Sequence, residues 1–83
     1  MTIINRLGMH ARPAMQFVET ASGFHSRVTV RNGEKKVNGK SIMEIMLLEA
    51  MPGTVLDLEA DGGDAEACLD ALDRLVREKF HED

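Results

Sequence analysis

The chain has 83 residues, of which 43% are hydrophobic and 29% charged, a composition typical of one small folded domain. No apolar run approaches the roughly 20 residues of a membrane-spanning helix, and the N-terminus lacks the pattern of a secretory signal, so no membrane insertion and a cytoplasmic location are expected. The single cysteine, Cys68, excludes an internal disulfide and a multi-thiolate metal site, in keeping with a reducing compartment.

Charge is divided unevenly along the chain. Residues 1–56 carry seven Lys and Arg against four Asp and Glu, whereas residues 57–83 carry three against ten. The net charge of −4, no Trp or Tyr and three Phe argue against nucleic acid as a partner, because such binding uses a continuous basic surface and aromatic platforms. The basic first part can meet an acidic protein surface or a phosphate.

The first elements are predicted to be a short strand and a helix. Residues 2–5 are rich in β-branched side chains, and residues 7–10 break that pattern. From residue 11 to 21 apolar side chains recur at helical spacing, with Pro13 in the first turn, where its missing N–H costs little. Gly23 is the predicted end of this helix.

A hairpin and a short second helix are predicted next. Residues 27–31 and 35–38 are strand candidates joined by a turn at Asn32-Gly33, and Gly39 closes the hairpin. Ser41 and Glu44 then form the Ser-x-x-Glu pattern of a capping box, and Pro52-Gly53 stops the helix.

The second helix has more apolar side chains than a helix of some ten residues can bury on one face. They are Ile42, Met43, Met46 and Leu47. Some of these side chains are therefore expected to be exposed, and flexible Met suits a surface that meets several partners.

The last elements are a strand and an amphipathic helix. Residues 55–60 alternate as in a strand with one wet face, Gly62-Gly63 turns the chain, and residues 64–80 carry an apolar stripe at helical spacing. Cys68 lies on that stripe and is expected to be a packed core thiol. The order β-α-β-β-α-β-α predicts one α+β domain over residues 1–83, with a four-stranded antiparallel sheet and three helices on one face.

His10 is the side chain most suited to chemistry. It precedes a predicted helix N-terminus, where free N–H groups and a partial positive charge favour an anion. Arg12 can neutralise a phosphoryl group, and no carboxylate lies between Met1 and Gln16. Imidazole is largely neutral and nucleophilic at cytosolic pH. The residues alone leave open a simpler role for His10, that of capping the helix.

Two separated motifs resemble those of a known family. Residues 7–14, Leu-Gly-Met-His-Ala-Arg-Pro-Ala, are similar to the active-site motif of HPr, the histidine-containing phosphocarriers of the phosphoenolpyruvate-dependent phosphotransferase system. Residues 39–43, Gly-Lys-Ser-Ile-Met, resemble the family's second motif, around its regulatory serine. The resemblance covers nearly the whole chain and implies an open-faced β-sandwich, although the family's first strand starts several residues before the counterpart of Thr2.

The resemblance implies a phosphocarrier that is not an enzyme. His10 would accept a phosphoryl group on Nδ1 from enzyme I and pass it to a IIA protein or domain, with Arg12 stabilising the phosphate. Ser41 would be the target of an ATP-dependent HPr kinase/phosphorylase, whereas the residue pattern alone favours a helix cap. A Glu44 folded back onto the cap would repel a phosphate there.

The resemblance also implies that the second helix is the docking face. The expected docking residues are Ile42, Met43, Met46 and Leu47, with a basic rim from Arg12, Arg27 and Lys40. A small carrier that docks in turn on two partners is expected to be a monomer. No cofactor is implied, and the spacing of His25 and His81 from His10 does not suggest a metal site.

Two other interpretations remain open. Residues 8–15 also resemble the nitrogen-related phosphocarrier branch, although residues 40–43 are closer to HPr. The other interpretation is a non-phosphorylated interaction module that uses only the Met-rich helix. It predicts that replacing His10 leaves function intact while charging Met43 destroys it.

Overall fold

The computed structural model describes residues 2–3, 11–48, 51–78 and 80. Its elements are, in chain order, α1 (Ala11–Ser22), β1 (Arg27–Asn32), β2 (Lys35–Asn38), α2 (Ile42–Leu47), β3 (Asp57–Asp61) and α3 (Ala65–Arg77). The strands form an antiparallel sheet in the order β2-β1-β3. The predicted α+β class with three helices is confirmed. Within the described ranges, no helix is long and apolar enough to cross a membrane.

The predicted first strand is described only at Thr2 and Ile3. Thr2 forms an isolated antiparallel bridge with Val55. The N–H of Ile3 donates to the Thr54 carbonyl at 2.8 Å, and the Ile3 side chain is fully buried. The segment therefore contacts the chain just before β3. The rest of the predicted strand lies outside the described residues, which hold a three-stranded rather than a four-stranded sheet.

Helix α1 has nearly the predicted bounds and packs against both other helices. Ala14, Phe17 and Ala21 of the predicted stripe are buried, as is Pro13 in the first turn, whereas Val18 of that stripe is half-buried against the core. The buried proline anchors the first turn to the protein without leaving a backbone donor unpaired.

The hairpin turn falls one residue later than predicted. Asn32 is paired with Lys35 as the last residue of β1, so the two-residue loop consists of Gly33 and Glu34. Gly33 takes the positive φ of 62° that a tight hairpin loop requires. The Asn32 side-chain amide donates to the Leu48 carbonyl at 3.2 Å, a long-range contact that joins the end of β1 to the end of α2.

The sheet has one buried and one open face. Val28 and Val30 of β1 are buried in the core shared with the helices, and Val37 and Leu58 of the neighbouring strands pack against it. The opposite face carries charged and polar side chains from all three strands: Arg27, Thr29, Arg31, Lys36, Asn38, Asp57, Glu59 and Asp61. This confirms the prediction that one face of the sheet is covered and the other is wet.

Helix α3 is shorter than predicted, because it begins after its N-cap residue Asp64 and ends at Arg77. Beyond the helix, Phe80 has a non-helical, positive φ of 55°, and its side chain is buried in the core. Cys68 is fully buried as predicted, and this burial raises the pKa of its thiol.

Candidate functional site

Of the first motif, residues 7–14, the structure describes residues 11–14. His10 lies outside the described residues, and Ala11, to which it is bonded, is the first residue of α1. Arg12 is exposed, and the first turn contains no carboxylate. The first N–H groups of a helix have no partner within the helix and carry partial positive charge, so the start of a helix such as α1 favours an anion.

Ser41 is the N-cap of α2, with extended backbone at φ −115° and ψ 115°. Its Oγ accepts from the Glu44 N–H at 3.4 Å. The predicted capping box is half wrong, because the Glu44 carboxylate accepts from the Asn38 N–H at 3.1 Å rather than from Ser41. The Ser41 N–H, which would complete a capping box, instead donates to the Asn38 carbonyl at 3.1 Å.

Helix α2 has six residues rather than about ten, and its two sides differ sharply. Ile45 and Leu48 are buried, and Ile42 is half-buried against the core. Three apolar side chains at i, i+3 and i+4 spacing form what we call the outer face of α2: Met43, Met46 and Leu47, exposed by 77%, 44% and 64%. The expectation of exposed apolar groups is thus met by three of the four residues.

Two further exposed methionines were not predicted to contribute to docking. Met15 of α1 is 50% exposed, and Met51 is 63% exposed. Helix α1 contacts α2, so Met15 belongs to the neighbouring helix. A helical projection could have found Met15, because it lies off the buried stripe that contains Ala14 and Phe17.

The three predicted rim cations differ in their surroundings. Arg12 is exposed at the start of α1. Lys40 is half-buried and its Nζ donates to the Phe24 carbonyl at 2.6 Å, so its ammonium is held within the protein. Arg27 is on the open face of the sheet, away from the helices. The docking roles of Lys40 and Arg27 stay predictions.

A polar cluster that sequence reasoning missed joins the loop after α1 to the start of α3. The Asp64 carboxylate accepts from the N–H of His25 at 2.8 Å, the N–H of Ser26 at 2.9 Å and the Ser26 hydroxyl. The Ser26 hydroxyl bond, followed by the His25 N–H bond, lowers the pKa of Asp64 to about 2. Ser26 is fully buried, so these bonds satisfy its polar groups.

Comparison with known proteins assigns the family. The family model for the PTS HPr component phosphorylation site matches residues 1–78. The chain belongs to the HPr family. Phosphocarrier protein HPr of Neisseria meningitidis serogroup A is 49% identical over 80 residues, which cover 96% of this chain and 90% of that protein. The chain is thus an HPr-type phosphocarrier of the phosphotransferase system and not an enzyme.

Solved structures of HPr from Thermoanaerobacter tengcongensis share the fold. One, of HPr-C-His, has a TM-score of 0.96 at 48% identity and covers all of this chain and 93% of that chain. A second, of an HPr dimer, has a TM-score of 0.83 at 49% identity and covers 96% of this chain and 92% of that chain. At least one HPr relative has therefore been crystallised as a dimer.

One relative bears on the nitrogen-related alternative. Phosphocarrier protein NPr of Shewanella violacea is 42% identical over 82 residues, covering 99% of this chain and 90% of that protein. The likeness to HPr of Neisseria is stronger at 49%, so the comparison gives the nitrogen-related branch only weak support.

Proposed function

We propose that His10 is the phosphoryl carrier, which accepts the group from the phosphohistidine of enzyme I and passes it to a IIA protein or domain in the cytoplasm. The observation that carries this proposal is the start of α1 at Ala11, directly after His10. The adjacent first turn presents backbone donors and the exposed Arg12 guanidinium without a competing carboxylate.

The chemistry proposed for His10 is an exchange of one nitrogen–phosphorus bond for another. The His10 Nδ1 lone pair attacks the phosphorus while the bond to the donor histidine breaks, and the donor nitrogen keeps the bonding electron pair. The proton of His10 stays on Nε2 throughout. Transfer to the IIA histidine is the same step in reverse roles, so a modest, exposed anion site serves better than one that binds phosphate tightly.

We propose that both partners dock on the outer face of α2. Its three exposed apolar side chains lie on a helix that packs against α1, the helix that His10 precedes. Apolar groups exposed at one place on so small a domain are typical of an interaction surface. A carrier that uses the same face for its donor and its acceptor in turn is expected to be a monomer. Because a relative from Thermoanaerobacter tengcongensis was crystallised as a dimer, the molar mass of this chain in solution is the measurement that tests this expectation.

Ser41 is proposed as a regulatory site for an ATP-dependent HPr kinase/phosphorylase. It is half-buried and stands two residues before the exposed Met43. A phosphate there adds nearly two negative charges beside the docking face and leaves the helix start intact. The bond from the Asn38 N–H holds the Glu44 carboxylate close to the cap of α2. We therefore propose that this carboxylate repels a phosphate on Ser41.

Intact mass after incubation with enzyme I and phosphoenolpyruvate tests the carrier proposal. We expect a single acid-labile phosphoryl adduct on the wild-type chain and none on His10→Ala, with the two proteins equally folded by circular dichroism. An adduct on the folded mutant would overturn the assignment of His10. A competent enzyme I that leaves the wild-type chain unmodified would favour the interaction module instead.

The nitrogen-related branch is the second candidate, on the strength of the relative named NPr. Incubating the chain separately with enzyme I of the sugar branch and with its nitrogen-related counterpart discriminates between the two. A much higher rate of phosphorylation by the sugar-branch enzyme supports the HPr role, and the opposite preference assigns the chain to the nitrogen-related branch.

A further inference from the structure

The carboxyl end of α2 is held by side chains from the β1–β2 hairpin. Lys35 Nζ donates to the Leu47 carbonyl at 3.1 Å, and Asn32 Nδ2 donates to the Leu48 carbonyl at 3.2 Å. The last carbonyls of a helix have no partner within the helix and carry a partial negative charge. Helix α2 has no basic residue in its own last turn, so the hairpin supplies the cation.

The same hairpin holds the amino end of α2. The Asn38 N–H, in the last residue of β2, donates to the Glu44 carboxylate at 3.1 Å. The next residue, Gly39, donates its N–H to the Val28 carbonyl at 2.8 Å, and a Cβ on Gly39 would lie only 2.4 Å from Val28 Cγ1. A six-residue helix cannot be stable by itself. The position of α2 is therefore set by contacts from outside the helix.

Strand geometry separates Lys35 from its neighbour Lys36. Lys36 is paired with Arg31 on the open face of the sheet, whereas Lys35 is on the side of the helices, where its ammonium reaches the Leu47 carbonyl. Both side chains are exposed, and each carries one positive charge. The pair distinguishes a positional role from a general effect of charge.

We propose that Lys35 and Asn32 are positioning residues that hold the outer face of α2 for recognition by enzyme I. By bonding the Leu47 and Leu48 carbonyls they fix the last turn of α2, and with it the orientation of Met46 and Leu47 toward enzyme I. This inference rests on the proposed docking role of the outer face of α2. It concerns recognition only, because neither residue is placed at the phosphoryl group.

The test compares Lys35→Met with the matched control Lys36→Met in the full-length chain. Phosphorylation rates by enzyme I at increasing carrier concentration are expected to give a KM about threefold to tenfold higher for Lys35→Met, with kcat unchanged. Asn32→Ala is expected to act in the same direction. Lys36→Met is expected to keep the wild-type KM, and Lys35→Arg, which retains a donor and the charge, to restore it.

Amide hydrogen exchange supplies a readout that does not depend on docking. The Leu48 N–H donates to the Ile45 carbonyl at 3.2 Å, and its exchange is expected to be faster in Lys35→Met but not in Lys36→Met. Equal rises in KM for the two lysine variants, or unchanged exchange at Leu48, would overturn the positional role. Wild-type KM in Met43→Glu would instead refute the docking proposal, and this inference with it, whatever the exchange data show.

Discussion

Helices α2 and α3 are held to the protein in different ways. Helix α3 has 13 residues, four of them buried along one apolar stripe, and its remaining surface is largely charged. Helix α2 has six residues and exposes three apolar side chains, while side chains and backbone of the hairpin hold its ends. The contrast indicates that α3 serves mainly to complete the core, whereas α2 presents a surface.

The largest expected loss of stability follows from truncating the stripe of α3. Leu72 is fully buried, so Leu72→Ala is expected to lower the free energy of unfolding by about 2–5 kcal/mol through lost burial and a cavity. Urea denaturation at neutral pH measures this loss. The Leu72→Ala molecules that remain folded should be phosphorylated by enzyme I at the wild-type rate. A raised KM for this folded fraction would contradict the separate roles of α3 in the core and of α2 in docking.

A charge on the outer face of α2 is expected to raise the KM for enzyme I while leaving stability nearly unchanged. Met43 is 77% exposed, so Met43→Glu is expected to change the free energy of unfolding by less than about 0.5 kcal/mol. A carboxylate in a docking surface has to be desolvated, and we expect KM for enzyme I to rise by about tenfold. Rate measurements against carrier concentration detect this. The exposed Glu66→Gln on α3 is the control, expected to leave KM unchanged.

The cluster at the start of α3 makes its attachment sensitive to acid. Because the pKa of Asp64 falls from 3.8 in the unfolded chain to about 2 in the fold, its stabilising effect is present above about pH 4. Between these two pKa values the unfolded chain binds more protons than the folded chain. The free energy of unfolding therefore decreases as the pH is lowered, and the contribution of Asp64 is lost below about pH 2.

Asp64→Asn is expected to remove this part of the acid transition. Thermal unfolding of the two proteins between pH 2 and 6 gives the comparison, with the exposed Asp70→Asn on the same helix as the control expected to retain the wild-type profile. An Asp64→Asn variant whose melting temperature fell as steeply below pH 4 as that of the wild type would show that other carboxylates dominate.

The same two helices show what sequence could and could not predict. Helix α3 carries a regular apolar stripe, so its existence, its buried side and the packing of Cys68 could be predicted from local periodicity. Its end at Arg77 could not, because the apolar spacing continues to Phe80, which is buried in the core outside the helix.

Helix α2 was predicted from its cap and its composition, but its length and its attachment were not. The bonds from Asn32 and Lys35 to its last carbonyls join residues 16 and 12 positions apart, respectively, which no local pattern encodes. The motif around His10 and the serine cap were recognisable because they are contiguous. Asp64, 38 and 39 positions from its partners, was not.

The smallest expected change in the free energy of unfolding comes from removing a cation in the last turn of α3. Arg77 lies in the last turn and contacts Asp73 at 2.5 Å with i,i+4 spacing, and its side chain is 78% exposed. Solvent and salt screen such a pair, so Arg77→Gln is expected to lower the free energy of unfolding by about 0.3–0.5 kcal/mol. Urea denaturation at low salt and at about 1 M salt should show the difference shrinking.

Phosphorylation of Arg77→Gln by enzyme I is expected to keep the wild-type KM, in contrast to Lys35→Met. Both substitutions remove one cation from a helix C-terminus, but α3 keeps its buried stripe, whereas α2 loses a contact from the hairpin that positions it. A KM raised equally by the two substitutions would mean that net charge, rather than the placement of α2, governs the encounter with enzyme I.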